Sequence, residues 1–209
     1  MSKDDFNIFI RVSIFGGVLL AIFYLSLQEE KNDISIILPA ASFAWSIISI
    51  FWWLFLKWGW QYWPFTLLFH RPNLNGTWIG TLKSDFKEDG IQVQPRQFCI
   101  VVRQTFLSIH IKTYTSTSLG VSYGEALILD KEMGTRTLAY LYRQDSSRIR
   151  GGKSQLGGAE LRLVLSIVNR LEGRYWTDSK TQGEVSLKFV SEEHVDSFDD
   201  AIMLQKNAE

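Results

Sequence analysis

The pattern of apolar and polar positions divides this chain near Pro72. Ile34–Leu56, ISIILPAASFAWSIISIFWWLFL, runs for twenty-three residues without a charged side chain. At about 1.5 Å per residue, a helix of that length spans the roughly 30 Å hydrocarbon core of a bilayer. Ile8–Leu27, IFIRVSIFGGVLLAIFYLSL, is a second apolar run, broken only by Arg11 near its start, from which a long side chain reaches the membrane surface. Together they predict two transmembrane helices, over about 8–27 and 34–56. The six residues Gln28–Asp33, QEEKND, join them, which predicts a tight antiparallel hairpin. A cleaved signal peptide competes for the first run. Against it stand Asp4 and Asp5 beside Lys3, and the lack of a small-x-small site before Gln28. Pro39 falls near the start of the second helix, where a missing donor matters least.

After Pro72 the period becomes two. NGTWIGTLKSDF, RQFCIVVRQTF, LSIHIKTYTS, VSYGEALILDK, TRTLAYLYRQ, AELRLVLSIV, LEGRYWTD and GEVSLKFV are eight β-rich segments of strand length. Turn residues separate them, as in Lys87–Gly90, Ser118–Gly120, Glu132–Gly134 and Thr177–Thr181. No helix intervenes, so parallel crossovers are excluded and an antiparallel, up-and-down, eight-stranded barrel is expected. An open sandwich is the alternative. Trp78, Gly80 and Leu82, then Phe98, Ile100 and Val102, then Leu161, Leu163, Leu165 and Ile167 form the set expected to face inward. Eight strands enclose room for a plug of side chains or for one small ligand. Gly80, Gly124 and Gly173 inside strands predict kinks or close backbone approach. Near the end, Glu192, Glu193, Asp196, Asp199 and Asp200 fit the solvated face of a short helix, with Phe198, Ile202 and Leu204 opposite. Such a helix could cap one end of the barrel.

The domain division is therefore 1–71 for the helices and an aromatic exit segment, and 72–209 for the barrel and terminal helix. Six of the eight tryptophans lie between Trp45 and Trp63, and Lys57-Trp-Gly-Trp-Gln-Tyr-Trp63 has the composition of a helix leaving acyl chains for headgroups. Lys3, Arg11, Lys57 and Arg71 flank the hairpin on the side of its ends, whereas the connection holds one Lys against three acids. Positive-inside bias thus places both termini and the barrel in the cytoplasm. Small residues recur in the spans, with Ala40 four before Ala44 and Ser42 four before Ser46. They suit close helix contact, within one hairpin or between copies.

Composition narrows the chemistry. With 22 basic and 22 acidic residues the formal charge is zero, so the broad cationic footprint of a DNA or RNA binder is missing. Cys99 is the only cysteine, which excludes an internal disulfide and a cysteine-rich metal site. It reads as a small buried hydrophobe. His70, His110 and His194 are far apart in sequence and form no metal-binding spacing. No nucleophile elbow occurs. An enzyme is not expected, nor a metal or cofactor.

Asn75-Gly76-Thr77-Trp78 is similar to the Gly-x-Trp that opens the first strand of lipocalin-like barrels. The whole plan adds a short N-terminus, two spans, the aromatic exit, His70-Arg71-Pro72, Leu74-Asn75-Gly76-Thr77-Trp78-Ile79-Gly80, eight strands and the late Leu171-Glu-Gly-Arg-Tyr-Trp176. It resembles the two-transmembrane-helix, β-strand-rich effectors of bacterial CBASS anti-phage systems. That resemblance implies a barrel that senses a cyclic dinucleotide made by a partner nucleotidyltransferase of the CD-NTase type. It further implies a bacterial inner-membrane location, assembly of a homo-oligomer on ligand binding, contact with membrane lipid, and disruption of that membrane. A membrane-anchored barrel carrying lipid or another apolar ligand is the alternative reading.

A cyclic dinucleotide brings two phosphates and two bases, so its receptor needs cationic or amide donors together with aromatic faces. Tyr142 beside Arg143, Arg174 beside Tyr175, and Tyr114 supply both and are the candidate contacts. Adjacent strand residues face opposite ways, so Arg174 and Tyr175 serve one ligand only at a rim. The loop Asp145–Gly158 adds Arg148, Arg150 and Lys153 among four glycines, and such a loop can close over a phosphate. It can equally be a solvated connection, or be drawn to anionic lipid.

Overall fold

The computed structural model describes residues 3–27, 36–63, 65–69, 71–88, 91–130, 132–146, 154–165 and 169–208. They fall into two compact units. The first is Met1–Arg71 with Thr105–Leu107, and the second is Pro72–Gln104 with Ser108–Glu209.

In the first unit, α1 (Lys3–Ser26) and α2 (Ile37–Lys57) pack against each other. Both are long and apolar enough to cross a membrane. Contacts run in opposite senses along the pair. The Phe9 and Trp52 rings stack at 3.9 Å, Ile48 lies against Gly17, and Tyr24 meets Phe43 at 5.3 Å. The hairpin is therefore antiparallel, while the connection 28–35 lies outside the described residues. Trp52 Nε1 donates to Ser13 Oγ at 2.9 Å, so one polar pair is satisfied inside an apolar interface. Ala40 and Ala44 are buried, whereas Ser42 and Ser46 are exposed, so only the alanine half of the small-residue pattern is used within the hairpin. Pro39 sits in the first turn of α2 and costs it no hydrogen bond.

The aromatic exit segment folds rather than extends. Gly59–Gln61 makes a single 3₁₀ turn, and α3 (Phe65–Phe69) follows. Trp60, Phe55, Phe69 and Phe106 cluster with Trp52. Trp58, Tyr62 and Trp63 stay exposed, and the Lys57 ammonium lies 4.3 Å from the centre of the Trp58 ring. This is the amphipathic arrangement the sequence predicts for a headgroup region.

The second unit is a closed antiparallel barrel. Its strands are β1 (Gly76–Ser84), β4 (Arg96–Gln104), β5 (Ile109–Thr115), β6 (Ser118–Asp130), β7 (Thr135–Ser146), β8 (Ser154–Val164), β9 (Arg170–Thr177) and β10 (Gln182–Ser191). All eight overlap the eight segments read from the period-two pattern, but β6 takes in Ser118–Gly120, expected as a turn, and β7 and β8 extend into both ends of the stretch 145–158, expected as a loop. Neighbours in the ring follow chain order and β10 closes on β1, the up-and-down topology, so the sandwich alternative is set aside. A ribbon of β2 (Lys87–Glu88) and β3 (Ile91–Gln92) grows from the connection that the sequence assigns to a plain turn.

Alternation fixes the faces. Trp78, Phe98, Ile100, Val102, Ile111, Leu138, Leu161, Leu163, Leu171 and Leu187 form one buried cluster inside the ring. Leu165 follows the last residue of β8 and is exposed, because the alternation that aims side chains inward ends with the strand. Gly76 has φ +119°, and a Cβ there would collide with the Ser191 carbonyl. Two residues later the Trp78 indole fills the barrel and donates to the Leu74 carbonyl at 2.9 Å. Both positions of the Gly-x-Trp motif are thus explained by contacts. The Gly124 position coincides with a bulge in β6, and a Cβ at Gly80 or Gly173 would strike a neighbouring strand's carbonyl.

The terminal helix α4 (Phe198–Ala208) does not cap an end. Ala201, Phe198 and Leu204 pack with Ile79, Cys99, Val101 and Tyr114, which are outward-facing residues of β1, β4 and β5. An unusually apolar outer wall draws the helix sideways, since covering it removes more apolar surface from water than a polar rim offers. Ser197 caps α4 by accepting from the Asp200 amide at 3.0 Å and donating to the Asp200 carboxylate at 2.6 Å.

Candidate functional site: a polar cavity in one half of the barrel

The interior is neither all plug nor all pocket. Trp78, Ile100, Val102, Ile111, Leu138, Leu161 and Leu171 fill one half. In the other, a cavity of about 460 Å³ opens at the end where β5 meets β6, β7 meets β8 and β9 meets β10. That volume lies within the roughly 300–1,000 Å³ of small-molecule sites. Sequence composition changes along the same inward rows. On β7, Leu138 gives way to Tyr140, Tyr142 and Gln144. On β5, Ile109 and Ile111 give way to Thr113 and Thr115.

Three tyrosines, with Phe86 and Phe98, supply the aromatic faces. Tyr140 and Tyr142 meet at 5.8 Å between ring centres, and Tyr175 stands on β9. Two glycines make room for the rings, since a Cβ on Gly157 would meet Tyr142 and one on Gly183 would meet Tyr175. Burial pushes the phenols of Tyr140, Tyr142 and Tyr175 above the ordinary tyrosine range. For Tyr175, Ser84 and the charge of Arg96 pull the other way and offset part of that rise. All three remain neutral hydroxyl donors at physiological pH. Hydroxyls and amides complete the wall. Thr115 and Ser118 are 2.6 Å apart, Gln144 Nε2 donates to Ser118 Oγ at 2.6 Å, and Thr177 and Thr181 pair at 2.6 Å. Among the described residues Arg96 is the one charged side chain that lines the cavity, and no carboxylate does.

Of the residues chosen from sequence, Tyr142 and Tyr175 line this cavity. Tyr114 does not. Its β5 position faces outward, where it is buried beneath α4 beside Cys99. Arg143 is exposed on the outer face of β7, because its neighbour Tyr142 takes the inward position. Arg174 also points outward and pairs with Glu160 at 3.4 Å. Period two sends the members of each Tyr–Arg pair to opposite faces of their strand, although Arg174 and Tyr175 both border a shallower groove with Asp85, Trp176 and Gln182. Arg148, Arg150 and Lys153 lie outside the described residues, although the strands they connect, β7 and β8, end at the mouth of the cavity. Arg96 escapes sequence reading because no aromatic residue adjoins it. Counting back in twos from inward Phe98 would have found it.

A closed up-and-down barrel, half packed and half open to a polar cavity, is a lipocalin-like small-ligand barrel. Residues 69–188 match the family model described as Cap15, cyclic dinucleotide receptor domain. The match spans more than half of the chain, and the chain belongs to that family. It is also 24% identical over 172 residues to CD-NTase-associated protein 15 of Escherichia albertii, covering 80% of this chain and 83% of the relative. A second protein of that name, from Staphylococcus schleiferi, is 26% identical over 129 residues, covering 62% of this chain and 67% of the relative.

Proposed function

We propose that this chain is a CBASS effector in which the half-open barrel binds a cyclic dinucleotide and the apolar hairpins then cluster and disrupt the bacterial inner membrane. The observation that carries this reading is the cavity itself, whose described lining holds three neutral tyrosines, a ring of hydroxyl and amide groups, one arginine and no carboxylate. Rings offer stacking faces worth roughly 1–3 kcal/mol per base. Hydroxyls and amides suit sugar and base edges, and the cation suits a phosphate. A lipid acyl chain would bury the Arg96 guanidinium and a wall of hydroxyls and amides against hydrocarbon, which disfavours the apolar-ligand alternative.

The output follows from the hairpin. Ala40 and Ala44 are consumed in its own packing, while Ser42 and Ser46 leave a small-residue face exposed, the kind that lets helices of separate copies approach closely. With both ends of the hairpin in the cytoplasm, the barrel meets a messenger produced there by a CD-NTase-type enzyme. The chain acts as receptor and effector, not as a catalyst.

Thermal denaturation of the full chain in detergent micelles, against cyclic dinucleotides, linear dinucleotides and fatty acids, tests the input. A cyclic dinucleotide at a hundred times its Kd stabilises the fold by about 2.7 kcal/mol. Stabilisation by fatty acid alone sinks the proposal. Arg148, Arg150 and Lys153 are proposed to add attraction at the mouth. Replacing all three with Gln is expected to weaken binding and flatten its salt dependence.

A further inference from the structure

We infer that the cavity holds a two-phosphate ligand unequally, one phosphate against the Arg96 guanidinium and the other against the neutral amide of Gln155. The inference rests on the reading that the barrel binds a cyclic dinucleotide. In the closed ring, β1, β10 and β9 separate β4 from β8 on one side, and β5, β6 and β7 on the other. The two strands are therefore diametrically opposite. Arg96 is the first residue of β4 and Gln155 the second of β8, and both line the cavity near its mouth.

These opposed positions differ in charge. Arg96 has no ion pair among the described residues, and nothing acidic lines the cavity to compete for it. A guanidinium grips a phosphate with two charge-assisted hydrogen bonds, each roughly twice as strong as a neutral one. Gln155 offers only a neutral amide. Aromatic faces stand on both sides, Phe98 on β4 with Arg96 and Tyr142 and Tyr175 on β7 and β9, so the difference between the two walls is one of charge. A ligand whose halves are chemically identical thus meets two different walls, and it needs only one of its charges matched in order to bind.

Calorimetric titration of the full chain in micelles with cyclic di-AMP, cyclic di-GMP and cyclic di-UMP at several salt concentrations tests this. For whichever binds most tightly, and with Arg148, Arg150 and Lys153 replaced by Gln so that the mouth loop adds no charge, log K is expected to fall with log salt at the shallow slope of about one matched phosphate. Arg96→Gln should weaken binding by about tenfold or more and flatten the slope, while Gln155→Arg should tighten binding and roughly double the slope. Ligand chemistry gives a test that no variant's folding can confuse. Converting one linkage to a neutral methylphosphonate should cost at most about threefold, because the ligand can turn its neutral side to Gln155, whereas converting both should cost as much as Arg96→Gln. In that loop variant, a slope for two phosphates, equal losses from the first and second neutral linkages, or indifference to Arg96→Gln would each overturn the unequal arrangement while leaving the receptor reading intact. Failure of the wild-type chain to bind any of the three overturns both.

Discussion

Single residues in this protein divide sharply into those that fill the barrel and those that empty it. Trp78 belongs to the first kind, with its indole buried and its N–H committed to the Leu74 carbonyl. Trp78→Phe removes the donor and leaves that buried acceptor with one partner fewer, so urea denaturation should show a loss of about 1–3 kcal/mol. Tyr142 and Tyr175 belong to the second kind, since their rings lie over glycines and leave the space between the walls open. Cys99 belongs to neither. It is fully buried on the outer wall, and burial pushes its thiol up to about 12. Iodoacetamide at pH 8 should therefore leave the native chain unmodified and alkylate Cys99 once the fold opens. An alkylation rate in the native state equal to that in urea would contradict this placement.

At the scale of elements, α4 is held to the outer wall by apolar packing and by charge just before its start. The helix is held by Ala201, Phe198 and Leu204 on the apolar face, and just before it Asp196 accepts from Lys112 at 3.1 Å and lies 3.8 Å from Arg103. The hydrogen bond and charge of Lys112 hold the Asp196 carboxyl below its ordinary range. A depressed carboxylate stabilises the fold above its unfolded pKa and loses that contribution as pH falls through the folded one. Acidification should therefore loosen the segment before α4, and Asp196→Asn should abolish that part of the acid response. Hydrogen exchange of the 195–204 amides between pH 6 and pH 3 measures it. An unchanged acid response in the variant would assign the effect to other carboxylates. The segment's position also explains why Tyr114 does not line the cavity, because a ring on the outer face of β5 under a helix faces away from it.

For the whole molecule, the packed half of the barrel carries the stability, and the open half is the one we propose for binding. Leu161 has no exposed surface and sits in the packed half, so Leu161→Ala should cost about 2–5 kcal/mol in unfolding. Tyr142→Phe, in the open half, should leave stability within about 1 kcal/mol while weakening capture of a cyclic dinucleotide. Chemical denaturation and ligand titration of the two variants, taken together, separate the roles. A comparable loss of stability in both would mean that the cavity wall is part of the folding core. The helical unit adds an apolar hairpin whose own contacts, such as Phe9 on Trp52, are already satisfied without a second copy.

The sequence by itself determined the number of elements, their type and their order. Uninterrupted apolar length identifies two helices, and period two identifies eight strands, since both patterns are local consequences of where successive side chains point. It also determined that no Tyr–Arg neighbour pair could serve one face, although it left a rim as a way round. Which half of the barrel is full, that Arg96 opposes Gln155, and that α4 lies along the wall instead of over an end were decided only by tertiary structure. Each depends on ring closure, which brings β10 beside β1 and sets β4 across from β8, and strand registers spanning more than a hundred residues leave no trace in any short stretch of chain.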